Sequence, residues 1–502
     1  MGDFQILLHR PGNEVIMGEE FNYIQGYLNE FKKEMLIENK ITDPRKIERI
    51  DFIGAQPVSM RNSHADRIRE ERDQADISYI VCEKTDGVRY IMVITNNGYC
   101  YLTGRNTSTD SENKYKLNQI NVQLNKQLFI DENDDEEENL QILEIFDGEL
   151  VLDKKGDNYY LKYLVFDCLV HFGEKVSNID YLNRLTNALY FVQYNNSLYE
   201  INGEELPKPQ PFCEFKAKAL SQFLETGETD NFEDSENDLV ISICVKDFFK
   251  IKYCNYLFDN YIPSLPHHND GLIFTKNNSI YKPGTDENII KWKPPSMNTI
   301  DFLLVANQDN ILCGIDEKKS DGNYLLQSRV IDLYVMDNNL ERKNYEITFF
   351  DFMIVDPDFF EEVIQKTSEK EGAKGVVAEC KWIDLDQDKG EIIKKIYTSD
   401  TDKILVLPEF PDDSNQDDNR KWIASQKQTY KENKFSKGWG FDRYRLDKNF
   451  SNNKKIAKDI VSSIKENLDS KALMQRLMPN QHQNSNMGNP NLEPSIQKKQ
   501  KR

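Results

Sequence analysis

A chain of 502 residues with a formal net charge of −21 is long enough for more than one domain and too acidic to coat a nucleic acid over its whole surface. No apolar run approaches the roughly 18–20 residues of a membrane span, and the N-terminus lacks the basic-then-apolar order of a secretory signal. Eight scattered cysteines form no C-x-x-C pair and six histidines offer no cage, so a zinc module is not expected and the thiols read as buried groups in a reducing compartment.

Along the chain, Phe21, Ile24, Leu28, Phe31 and Met35 fall at helical spacing and predict an amphipathic helix. From about Tyr79 to Thr299 short apolar runs alternate with turn residues: Tyr90–Thr95, Tyr163–Val170 and Gly271–Thr275 read as strands, with a helix over Ile179–Val192 between them. The acidic stretches 131–138 and 225–238 read as solvated loop insertions. A second strand-rich block runs from Asp301 to about Ile396 and suits a small closed barrel. After a polar interruption over 411–434, Ile456, Ile460, Ile464 and Leu468 step by four and predict a closing helix. The expected division is 1–300, 301–478 and a disordered basic tail, 479–502, ending Lys498-Lys499-Gln500-Lys501-Arg502 in the manner of a nuclear address.

Four segments carry chemistry: Glu83-Lys84-Thr85-Asp86-Gly87-Val88-Arg89, Phe146-Asp147-Gly148-Glu149-Leu150, Asp270-Gly271-Leu272-Ile273-Phe274 and Ile290-Lys291-Trp292-Lys293-Pro294. A lysine between a strand and a tight Asp-Gly turn is presented rigidly. To act as a nucleophile it must shed its proton, and Lys291 and Lys293 are the cations expected to help. Alternating across Trp292, those two lysines share one strand face and suit a polyphosphate, as does Arg89. Asp86, Glu149 and Asp270 suit ribose hydroxyls or a divalent metal. Taken singly, each segment is more often a turn or a solvated strand; a lone K-x-D-G is usually a hairpin with an exposed lysine. Together they suggest attack by lysine on a nucleotide phosphorus, although residue types alone do not fix that reaction.

With these segments in this order, the chain resembles the covalent nucleotidyltransferase superfamily, which holds the mRNA capping guanylyltransferases and the ATP- or NAD-dependent polynucleotide ligases. The resemblance spans roughly Gln56 to Leu468 and is nearest to the capping enzymes, because Trp439-Gly440-Phe441-Asp442-Arg443-Tyr444-Arg445-Leu446-Asp447-Lys448, with Asn452, is similar to their W-x-x-x-R-x-R-x-D-K-x-x-x-N element. Asp442 departs from it, standing where an apolar residue is usual. Gln56-Pro57-Val58-Ser59 resembles the segment ahead of the nucleophile.

The resemblance implies an α+β fold: a nucleotidyltransferase domain of antiparallel sheets, an ATP-grasp-like ligase fold, plus a C-terminal OB-fold domain. It implies that Lys84 is the catalytic residue that carries GMP. Arg89 is implied at the ribose, Arg105 at a phosphate, Phe166 stacked on guanine and Lys246 reading guanine. Glu149 is implied at ribose and metal, Asp270 at the metal, Lys291 and Lys293 at the phosphates. Asp301 is the aspartate after the paired lysines. Arg445 and Lys448 are implied to reach the β- and γ-phosphates as two domains close on GTP. It further implies Mg²⁺ or Mn²⁺ as cofactor, the 5′-diphosphate end of RNA as acceptor and a nuclear location. The partners implied are a separate RNA triphosphatase subunit and the phosphorylated C-terminal tail of RNA polymerase II, with no membrane. An ATP-dependent polynucleotide ligase and a non-catalytic polymerase- or RNA-binding scaffold stay open as alternatives.

Overall fold

The structure is a computed structural model that describes residues 8–9, 11–15, 18–44, 47, 52–74, 78–104, 115–129, 139–201, 212–213, 240–311, 329–339, 344–355, 357–369, 372–384, 437–445 and 448–479. The acidic insertions, the polar stretch 411–434, Arg105 and the basic tail from residue 480 lie outside the described residues. The chain divides into one unit of residues 1–292 with 473–502, and a second of 293–472.

In the first unit the strands are β1 (Asn13–Val15), β2 (Ala55–Ser59), β3 (Tyr79–Thr85), β4 (Val88–Thr95), β5 (Cys100–Thr103), β6 (Leu117–Val122), β7 (Ile142–Lys155), β8 (Asn158–His171), β9 (Glu174–Lys175), β10 (Phe212–Cys213), β11 (Val240–Val245), β12 (Phe249–Lys250), β13 (Asn269–Lys276) and β14 (Gly284–Trp292). Its helices are α1 (Glu19–Glu38), α2 (Asn62–Gln74) and α3 (Tyr181–Ile201). One sheet runs β1-β6-β11-β8-β7-β4-β5. Because β5 also pairs with β6, the hydrogen-bonded path returns on itself. The other sheet runs β12-β3-β13-β14-β2. The expectation of antiparallel sheets holds for most pairings and fails at three: β11 runs parallel to β6 and β8, and β14 runs parallel to β2.

Period-two alternation splits β4 between two cores. Tyr90, Met92 and Ile94 join Phe146, Tyr163 and, from α3, Ala188 and Phe191. Ile91 and Val93 join Phe21, Ile24, Leu28, Phe31 and Met35 of α1 on the opposite face. The predicted first helix is therefore present, and its apolar stripe is its buried face. The helix expected over Ile179–Val192 runs longer, to Ile201, and α2 was not anticipated; only Ala65 and Ile68 of it are buried, too short a stripe to read.

The second unit is a fully antiparallel sheet, β17-β16-β15-β18-β19, of β15 (Thr299–Ile311), β16 (Arg329–Asn339), β17 (Asn344–Val355), β18 (Val376–Asp384) and β19 (Lys437–Tyr444). Phe360 and Val363 of α4 (Pro357–Ser368), within the block read as strands, and Ala457 and Val461 of α5 (Lys454–Glu466) pack on it. The closing helix differs from expectation. It stops at Asn467, which takes the left-handed conformation, and the chain restarts as α6 (Ser470–Leu477), which groups with the first unit from Leu473 onward. In α5 the predicted Ile460 and Ile464 pack on the sheet core beside the buried Ala457 and Val461, and Leu468 beyond it is buried, whereas Ile456 is 50% exposed. Asn453, whose side chain accepts from the Lys455 amide, caps the start of α5.

Candidate active site

Lys84 is the last residue but one of β3, and Gly271 of β13 is its register partner. That pairing sets Asp270 beside it, and the Lys84 Nζ donates to Asp270 Oδ1 at 2.6 Å. The group in direct contact with Lys84 is thus a carboxylate rather than the cation expected from sequence. The Asp-Gly pair after Lys84 is not a hairpin: β3 and β4 are separated by Asp86 and Gly87 yet belong to different sheets. Gly87 passes so close to β7 that an added Cβ would lie 2.5 Å from the Leu150 carbonyl oxygen, so this crossing requires glycine. Its amide donates to Glu149 Oε1 at 3.2 Å, which brings the second acidic segment to the first.

Gly148 has an equally steric reason. A Cβ there would sit 2.5 Å from the Tyr163 ring. That ring crosses β7, and its hydroxyl donates to the Tyr90 and Phe146 carbonyls, tying β4 to β7 under the site.

Lys246 follows β11 and is 5% exposed. Its Nζ donates to the Glu83 carbonyl at 3.2 Å and lies 3.4 Å from Glu83 Oε1 and 3.8 Å from Glu149 Oε2. Burial pulls the lysine's pKa down, but the Glu83 charge, with Glu149 behind it, overrides this and leaves it above its ordinary value. Burial pushes the Glu149 carboxyl up, opposed by Lys246, Lys84 and the Gly87 amide. Phe166 on β8 lies near two cations, with Lys246 Nζ 5.9 Å and Arg89 Cζ 5.2 Å from its ring centre.

Arg89 is committed within the protein. It donates to both oxygens of Asp147, at 2.9 and 2.5 Å, and to the Ala55 carbonyl. Asp147 also accepts from the Tyr281 hydroxyl, and that hydroxyl receives the Ala55 amide at 3.0 Å. A fully buried carboxylate under the site is thereby satisfied on every side. Asp167, two residues before Leu169 on β8, makes a similar buried pair with Arg184 of α3 at 2.7 Å. Sequence reading assigned no role to Glu83, Asp147, Asp167, Arg184 or Tyr281. Glu83 and Asp147 stood inside recognised segments, so they were findable; Asp167, Arg184 and Tyr281 carried no local signal.

Lys291 lies on β14, whose neighbour β13 separates it from β3, with Ile273 as register partner. Lys293 is the first residue of the second unit. In that unit Asp301, on β15, collects the C-terminal cations. Arg445 Nη1 donates to it at 3.1 Å and Lys448 Nζ at 2.5 Å. Asn452 accepts the Asp301 amide at 2.8 Å and donates its own amide to the Asp301 carbonyl at 2.7 Å. The R-x-D-K-x-x-x-N spacing therefore gathers three residues on one aspartate. The unusual Asp442 accepts from Lys381 at 2.8 Å on β18.

Asp270, on the strand beside Lys84, and Glu149, on β7 of the other sheet, present hard oxygen donors, a donor set that fits Mg²⁺ or Mn²⁺ shared with phosphate oxygens. Among the described residues no helix is long and apolar enough to cross a membrane.

The family model for the mRNA capping enzyme catalytic domain matches residues 22–189 and 215–295. The chain is 32% identical over 263 residues to the mRNA-capping enzyme subunit alpha of Schizosaccharomyces pombe, covering 50% of this chain and 53% of that protein. It is 31% identical over 310 residues to the same subunit of Neurospora crassa, covering 58% and 63%. It is 27% identical over 269 residues to the mRNA-capping enzyme of Danio rerio, covering 53% and 37%. The match thus spans between about a third and two-thirds of the length of these relatives. Among solved structures, the bacteriophage T7 ATP-dependent DNA ligase in complex with ATP aligns over 66% of this chain and 94% of its own, at 14% identity and a TM-score of 0.24, too low to bear on the reaction.

Proposed function

The chain belongs to the mRNA capping enzyme family through its catalytic domain, and from that premise we propose that it is a GTP:mRNA guanylyltransferase acting through a lysyl-GMP intermediate on Lys84. One observation carries the reading: four separate segments supply two ion pairs, Lys84 with Asp270 and Lys246 with Glu149, and the Gly87 amide, three residues after Lys84, ties Glu149 to the nucleophile's segment. In the first half-reaction the Lys84 amine, having lost a proton, bonds to the α-phosphorus of GTP as the bond to pyrophosphate breaks. In the second, a terminal oxygen of a 5′-diphosphate RNA takes the GMP, the N–P bond breaks and the amine is restored. Asp270 fixes the Nζ position before attack. Glu149 serves the ribose, Phe166 stacks on the base, and Lys246 reads it. Lys291, Lys293, Arg445 and Lys448 serve the phosphates, with Asp301 positioning the last two. A bound Mg²⁺ or Mn²⁺, held by Glu149 and Asp270, would offset phosphate charge.

The second unit is read as an OB-fold, and Arg105 as a further phosphate contact. A separate RNA triphosphatase subunit, the phosphorylated tail of RNA polymerase II and a nuclear location complete the proposal. The test is incubation with α-labelled GTP or ATP and Mg²⁺ or Mn²⁺, followed by denaturing electrophoresis. Label from GTP that disappears in Lys84→Ala is expected. Label from ATP alone points to a ligase, and label that survives Lys84→Ala refutes the nucleophile.

A further inference from the structure

Lys246 is a buried ammonium whose charge needs a carboxylate beside it. Two carboxylates are available, and they are not equivalent. Glu149 already accepts the Gly87 amide, and in the proposed reaction it turns to the ribose. Glu83 is not divided in this way. Its Oε1 accepts from the Thr85 hydroxyl at 3.3 Å and faces Lys246, while its Oε2 is buried with no hydrogen-bond partner. Its side chain and that of Lys246 are each 2% exposed. The backbone locks the same arrangement. Val245 pairs with Val165, and the Lys246 amide donates to the Val165 carbonyl at 2.9 Å, so Lys246 is anchored one residue from the Phe166 ring.

We propose that Glu83 is a positioning residue which, by holding the Lys246 ammonium at the Phe166 ring, sets the preference of this site for guanine over adenine. The inference rests on the guanylyltransferase reading above. An ammonium has only donors to offer. Guanine presents two acceptors, O6 and N7, on one edge, whereas adenine puts an amino donor where guanine has O6. A lysine fixed beside the base therefore favours guanine, and a lysine released from Glu83 loses its place there. Glu83 itself, as the strand neighbour of Lys84, points to the opposite face and acts through Lys246.

The experiment measures lysyl-nucleotide formation from GTP and ATP, in single turnovers at varied nucleotide, for the wild type, Glu83→Gln, Glu83→Asp, Lys246→Met and the Glu83→Gln/Lys246→Met double variant. Glu83→Gln is expected to raise the KM for GTP about tenfold, more than it lowers the rate, and to reduce the GTP-to-ATP ratio by a similar factor. Glu83→Asp should fall between it and the wild type, and it carries the same test if Glu83→Gln does not fold. On the Lys246→Met background Glu83→Gln should add nothing further. A Glu83 that merely supports the fold would lower label from both nucleotides alike, and that result, an unchanged ratio or a full additional loss in the double variant would overturn the inference. Failure of the wild type to take label from GTP would instead bring down the guanylyltransferase reading and this inference with it.

Discussion

Two clusters in this molecule draw lysine or arginine onto a single aspartate, and they are built differently. At Asp270 the geometry is a product of a register shift in the sheet: Asn269 pairs with Thr85 and Gly271 with Lys84, which leaves Asp270 between two successive pairs and in contact with Lys84. At Asp301 the cations come from beyond the end of β19, and register alone does not deliver them. Arg445 is placed by its amide on the Val377 carbonyl, and Asn452 pins the Asp301 backbone from the other side. The charge balance also inverts. Lys84 and Lys246 face Asp270, Glu149 and Glu83, whereas Arg443, Arg445 and Lys448 face Asp301 and Glu379. The acid-rich cluster suits a metal and a ribose; the cation-rich one suits phosphates.

If that contrast is functional, the clusters fail differently. Arg445→Ala or Lys448→Ala should slow lysyl-GMP formation roughly 10²–10³-fold, the usual effect of deleting one charged stabiliser of a transition state. Transfer from preformed adduct to RNA, which expels no pyrophosphate, should suffer less. Single-turnover measurement of both steps decides, and equal losses would remove the assignment to the leaving group.

A second contrast is in pH response, and here the units should behave alike. Burial pushes Asp351, against Trp439, up to about 7, and burial likewise pushes Glu144, against His171, up to about 7. A carboxyl whose folded pKa is raised contributes stability that is full below its unfolded pKa, near 4, and is lost as pH rises through 7. The loss is on the order of 3–4 kcal/mol for each group. Thermal unfolding should therefore move to lower temperature between pH 5 and pH 8. Asp351→Asn and Glu144→Gln should each flatten that slope. A slope untouched by both would show that neither carboxyl holds its proton near neutrality.

Smaller effects test the packing. Gly148→Ala forces a methyl against the Tyr163 ring, which should destabilise the first unit by about 1–3 kcal/mol in denaturant melts. In the second unit, Ala457→Leu should cost a similar amount, about 1–3 kcal/mol, because Ala457 is fully buried. Ile456→Gln should change stability by less than about 0.5 kcal/mol. The reverse ranking of Ile456 and Ala457 would return Ile456 to the buried stripe.

Much of the molecule was legible in one dimension because the signals are local. A five-residue stripe identified α1, short apolar runs between turn residues identified β4, β8 and β13, and the acidic and basic segments identified Lys84, Glu149 and Asp270 as candidates. Parallel pairing of β11 and β14 was not legible, since strand direction depends on distant connections. The stripe of the closing helix was legible at Ile460 and Ile464, which pack on the sheet core, and at the buried Leu468; Ile456 alone fails, because its neighbour Ala457 is the buried residue. Residue types and their order were enough to show which side chains can carry the chemistry and that they recur in a recognisable succession. Folding was needed to show that Lys84 rests on Asp270 rather than beside a lysine, that Arg89 is committed to Asp147, and that Lys246 is held by Glu83. Those are ion pairs between segments tens to hundreds of residues apart, and their partners are chosen by burial, which a linear pattern does not encode.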